Sequence, residues 1–145
     1  MLNSSRTILA IDPGTCKCGV AVVRKGREAD PQGEKAFGVL HRGIVPSSEL
    51  ERALAELNAR FSVDVVLVGG GTWSHQALRA ARQSCGSAVE VVDESLTSVL
   101  ARKRYFKENP PRGLRRLIPL SLQTPPEAYD DYVALILAER YLSKG

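Results

Sequence analysis

The sequence predicts an α/β domain built on one mixed five-stranded sheet, a three-stranded antiparallel meander continued by parallel strands, with helices on both faces. Three observations predict it. Two apolar runs, Thr7–Asp12 (TILAID) and Cys18–Val23 (CGVAVV), are separated only by a short turn that begins Pro13-Gly14, the arrangement of a tight hairpin. Further along, segments of helical period alternate with short apolar runs, as in parallel crossover units. The chain has 145 residues, 43% hydrophobic and 25% charged, which suits one core and leaves two domains cramped.

The elements follow in order. A polar stretch with Gly26, Pro31 and Gly33 leads into Ala36–Val45, whose loose alternation reads as the third antiparallel strand. Ser47 and Ser48 are placed to cap a helix through Phe61, with Leu50, Ala53, Leu54 and Leu57 at helical spacing and Glu49 and Glu51 at the end favourable to acids. Val63–Val68 (VDVVLV) is nearly continuously apolar, as a buried parallel strand requires, and stops at Gly69-Gly70-Gly71. Trp73–Cys85 returns to helical spacing, Ala88–Val92 (AVEVV) supplies the fifth strand, and a helix runs from about Thr97 to Lys107. The prolines at 110, 111, 119, 125 and 126 exclude a regular helix from Asn109 to Pro126, so a mobile basic loop is expected over about 108–126, its leucines docking against the body. Pro125 and Pro126 are expected to open the last helix, running to about Leu142.

Several function classes are excluded. No apolar run approaches the roughly 20 residues of a membrane span, and Met1–Arg6 is too short and polar for a signal peptide, so a cytoplasmic protein with no membrane partner is expected. Cys16, Cys18 and Cys85 are an odd number, the first two too close along one strand to pair, and are read as reduced thiols. The 20 Lys and Arg outnumber the 16 Asp and Glu, for a net charge of +4. The excess is concentrated in one segment, where Arg102, Lys103, Arg104, Lys107, Arg112, Arg115 and Arg116 are opposed in sequence only by Glu108. Such a run suits a polyanion, and these residues are the candidate nucleic-acid contacts.

Carboxylates carry the candidate chemistry. Asp12 ends the first strand, Glu94 lies just beyond the fifth, and Glu127, Asp130 and Asp131 stand at the start of the last helix. If the first and fifth strands are neighbours and the last helix crosses them, these acids converge. Clustered carboxylates repel one another, so bringing them together makes sense chiefly around a divalent cation, and hard oxygen ligands point to Mg2+ or Mn2+. Two such ions can promote in-line attack at phosphorus. Lys17, in the hairpin turn beside Asp12, is placed to meet a scissile phosphate. Trp73 and Tyr105 are read as packing residues, and His41 and His75 are assigned no role.

Three segments also resemble a known family. ILAIDPGTCKCGVAVV (Ile8–Val23), VVDESLTSVLA (Val91–Ala101) and YDDYVALILAERYL (Tyr129–Leu142) are similar to the YqgF/RuvX family of RNase H-like bacterial nucleases, related to the Holliday junction resolvase RuvC. The resemblance runs from Ile8 to Leu142 and implies an RNase H-like fold. It places the catalytic, metal-binding acids at Asp12, Glu94 and Asp130, with Glu127 or Asp131 assisting. The Asp-Pro-Gly form of the first segment leans towards RuvC, and Glu127 with Asp130 matches the spacing of acids in that branch. Where the family carries an Arg after its middle acid this chain has Ser95, and in place of a Gly-Leu-Pro turn it has Gly69-Gly70-Gly71-Thr72-Trp73. The family implies RNA processing of the 16S rRNA-precursor type as the first function and cleavage of branched DNA as the alternative. A non-catalytic nucleic-acid-binding module is the further reading. The RuvC branch also implies a homodimer, although no interface is legible in the sequence.

Overall fold

The computed structural model describes residues 6–25, 37–71, 73–86, 88–93, 97–119, 122, 123, 125 and 128–144. The strands are β1 (Thr7–Asp12), β2 (Lys17–Lys25), β3 (Phe37–Pro46), β4 (Val65–Gly69) and β5 (Ala88–Val92). The helices are α1 (Leu50–Phe61), α2 (Ser74–Ser84), α3 (Thr97–Glu108) and α4 (Asp130–Lys144). The sheet order is β3-β2-β1-β4-β5, antiparallel through the first three positions and parallel from β1 to β5. The mixed sheet and its element order are those expected from the sequence.

Strand alternation divides the core into two layers. Along β1, Ile8 and Ala10 pack with α3 and α4, whereas Leu9 and Ile11 pack with α1 and α2. β2 repeats the division, with Ala21 and Val23 on the α4 side and Val20 and Val22 on the α1 side. Both central strands are therefore buried on two faces, which is why they read as unbroken apolar runs. At an edge of the sheet, β5 is exposed at Ala88, Glu90 and Val91.

Four expectations are corrected. β1 and β5 are not neighbours, because β4 lies between them and pairs with both. The last helix begins at Asp130, not at the prolines: the Tyr129 carbonyl accepts the first hydrogen bonds, from the Tyr132 amide at 3.0 Å and the Val133 amide at 3.2 Å, and Pro125 lies outside any helix. Neither serine caps α1. Ser47 opens a 3-10 turn (Ser47–Glu49), and its hydroxyl donates to the Gly14 carbonyl at 2.9 Å while its amide donates to the Cys16 carbonyl, also at 2.9 Å. The start of the first helical layer thus pins the β1–β2 turn. Finally, the basic loop contains a 3-10 turn, Gly113–Leu117, and Leu114, Leu117, Ile118 and Leu122 are exposed instead of docked.

Candidate functional site

The site is built by one register and one missing side chain. Asp12 pairs with Gly19 across the β1–β2 ladder. Directly opposed residues of an antiparallel pair project from the same face of the sheet, and alternation after Ile8 and Ala10 puts Asp12 on the face covered by α4. The first turn of α4 sits directly on Gly19. A Cβ built there would fall into the Asp130–Asp131 peptide, 2.7 Å from the Asp131 amide nitrogen and closer still to the Asp130 carbonyl. Any other residue at position 19 would hold the helix away. The strand end bearing Asp12 and the helix start bearing Asp130 therefore meet across the width of one glycine.

The adjacent acids Asp130 and Asp131 have different surroundings. Asp130 is a third exposed and faces Lys17, whose ammonium lies 3.8 Å from Oδ2. Asp131 is drawn the other way: Arg42 of β3 meets its Oδ2 at 3.0 Å, and only 14% of its side chain is exposed. The other oxygen, Oδ1, is buried with no hydrogen-bond partner among the described residues. The Arg42 guanidinium also reaches Glu108 at 3.2 Å and stacks 4.1 Å above the Tyr132 ring. Burial on its own would raise the Glu108 carboxyl, but hydrogen bonds from Tyr132, Arg104 and Arg42 outweigh it and hold the group below the ordinary carboxylate range. Tyr132 moves up, through burial and its hydrogen bond to Glu108.

Of the expected ligands, Asp130 is brought through its backbone onto Gly19, the residue paired with Asp12, Asp131 follows it and is engaged by Arg42, and Glu94 and Glu127 lie outside the described residues. Among the described residues no group of three or more His, Cys, Asp or Glu is disposed to hold a metal. The pair that is present nevertheless fits a hard divalent cation. Both donors are carboxylates, Asp12 at the end of β1 and Asp130 at the start of the helix whose first turn packs on Gly19, and Mg2+ characteristically takes one or two carboxylates and completes its shell with water and substrate phosphate.

The basic residues divide in the same way. Arg104 bridges Glu139 at 3.1 Å and Glu108 at 3.3 Å. Lys103, Lys107, Arg112, Arg115 and Arg116 are exposed and Arg102 is half-buried. Tyr105 is a core residue, edge-on to Tyr132 and Phe106, and Trp73 sits at the rim of the opposite helical layer. Cys16, Cys18 and Cys85 are all free thiols, Cys16 exposed and the other two buried.

Two residues that organise the site were not among those expected. A lone glycine inside a strand pattern, as at Gly19, signals a close backbone approach, and the signal was in the sequence. Arg42 had none. Its importance depends on the register that sets it opposite Ala21, on the α4 face, and on contacts with helices 66 and 89 positions further on.

No family model matches the chain, and a search of curated proteins finds no match. Solved structures do match. The Thermus thermophilus RuvC structure aligns at 15% identity and a TM-score of 0.54, covering 96% of each chain. The structure of T. thermophilus RuvC in complex with a Holliday junction substrate aligns at 17% identity and a TM-score of 0.58, again covering 96% of each chain. With the sheet order and the two helical layers already described, these matches show that the chain has the RNase H-like fold of RuvC.

Proposed function

We propose that this protein is a metal-dependent nuclease that hydrolyses phosphodiester bonds in nucleic acid. The observation that carries the reading is the seating of the Asp130–Asp131 peptide on Gly19, the residue paired with Asp12 at the end of β1. Asp12 and Asp130 would hold Mg2+ or Mn2+, joined by Glu94 and assisted by Glu127. A divalent cation there supplies Lewis-acid stabilisation to a phosphodiester undergoing in-line attack, and two ions are the expected complement. Lys17 offsets the charge of Asp130 and is the candidate contact for an incoming phosphate. Asp131 acts through position: tied to Arg42, it anchors the first turn of α4 so that Asp130 stays against the strand end.

RNA of the rRNA-precursor type is the first substrate, on the resemblance of the three segments. The second reading is a four-way DNA junction, favoured by the likeness to RuvC in complex with such a substrate. One experiment tests both. Labelled single-stranded RNA, an rRNA-precursor fragment and a four-way DNA junction are incubated with Mg2+, Mn2+ or chelator, using the wild type, Asp12→Asn and Asp130→Asn. RNA cleavage that requires both metal and the two aspartates supports the first substrate. Symmetric junction cleavage with the same requirements moves the protein to the second. Undiminished cleavage by both folded variants rejects the site, and binding without cleavage of any substrate reduces the protein to a nucleic-acid-binding module.

A further inference from the structure

Leucines on a protein surface are ordinary when scattered, but three close together on one short segment are not. Leu114, Leu117 and Leu122 are 83%, 81% and 76% exposed, among the most exposed large apolar side chains of the described residues. The turn that carries the first two is built and held. Gly113 enters it at φ +65°, a backbone conformation that other residues rarely adopt. Gln123, buried to 5% exposure, donates from Nε2 to the Arg115 and Ile118 carbonyls at 2.8 Å each, tying the turn from beneath. An amide so placed fixes Leu114 and Leu117 in an outward position instead of letting them collapse onto the body.

The surroundings indicate what the leucines meet. Arg112, Arg115 and Arg116 flank them, all exposed, and the sequence from Asn109 to Pro126 contains no Asp or Glu. Such a surface complements a polyanion. Both ends of the segment are also anchored at the candidate site. Asn109 donates to the Tyr132 hydroxyl at 3.4 Å in the first turn of α4, and Tyr129, where the segment returns, supplies the carbonyl that starts that helix.

We propose that Leu114 and Leu117 form a wedge that enters an opened base stack, at a branch, bulge or unpaired step of the bound nucleic acid, while Arg112 and Arg116 hold the flanking phosphates. The inference rests on the nucleic-acid reading above and extends it to the feature recognised: discontinuity of the stack, not base identity. Apolar side chains of this size enter base steps in other nucleic-acid binders, and unstacking costs least where a helix is already interrupted.

The test separates the wedge from cleavage, because binding is measured with chelator present. Wild type, Leu114→Ala/Leu117→Ala and Leu122→Ala are titrated against a continuous duplex and a matched duplex carrying a bulge or four-way branch, with 2-aminopurine at the interrupted step. For the wild type, brighter 2-aminopurine and tighter binding to the interrupted substrate are expected. The double variant should lose that preference, weakening about tenfold on the interrupted substrate and little on the duplex. Equal loss on both substrates, no loss on either, or no wild-type preference overturns the wedge. So does a change in sedimentation, which would make a second copy the occupant, or a drop in thermal midpoint, which would make the leucines part of the core. Cleavage that persists in the double variant leaves the nuclease reading intact whatever happens to the wedge.

Discussion

Gly19 decides how closely the start of α4 approaches the strand paired with the Asp12 end of β1. Its role is steric: the Asp130–Asp131 peptide occupies the volume that a Cβ would take. Gly19→Ala should therefore destabilise the fold by about 1–3 kcal/mol, as overpacking does, and reduce cleavage further than the stability loss explains, because the start of α4 must lift. Gly43→Ala is the matching control in the same sheet, since among the described residues a Cβ there meets only the His41 ring at 3.5 Å, an ordinary contact. Thermal unfolding with cleavage assays on folded protein checks both; a Gly19→Ala variant as stable and active as Gly43→Ala would show that the close approach is not required. Asp130 and Asp131 are chemically identical neighbours, and only their partners, Lys17 and Arg42, assign them different work.

At the scale of elements, Arg42 joins β3 to α3 and α4 through Glu108, Asp131 and Tyr132. Arg42→Ala leaves the largely buried Asp131 carboxylate without its cation and should cost about 1–3 kcal/mol, with Arg42→Lys recovering part of it. The same cluster predicts a pH dependence. Glu108 titrates below its ordinary value in the folded state, so the unfolded chain binds its proton more readily. Its contribution is complete above the unfolded pKa, about 4.3, and is lost as pH falls through the lower folded value. Urea unfolding of wild type and Glu108→Gln across pH should show wild type more stable near neutrality and the two converging in acid. A constant difference down to the acid limit would contradict the assignment.

For the whole molecule, the charge of +4 matters through its placement. Replacing Arg112, Arg115 and Arg116 together by Ala should weaken nucleic-acid binding and lower the salt slope by about one for each phosphate that is no longer neutralised. An unchanged slope would remove that surface from the interface. Much of the architecture was legible in the linear chain: the apolar runs located β1, β2 and β4, and helical period located α1 and α2. The lone glycine of β2 and the acid ending β1 were also visible as residues, because local backbone demands leave local marks. The sequence by itself therefore determined the elements, their order and the residue types available for phosphate chemistry. Only the tertiary structure decided that β4 separates β1 from β5, that α4 begins at Asp130, that Arg104 and Arg42 pair with internal acids, and that the leucines of the basic turn face outward. Those outcomes depend on pairings between residues tens of positions apart, and such pairings are set by which faces bury together rather than by any local pattern.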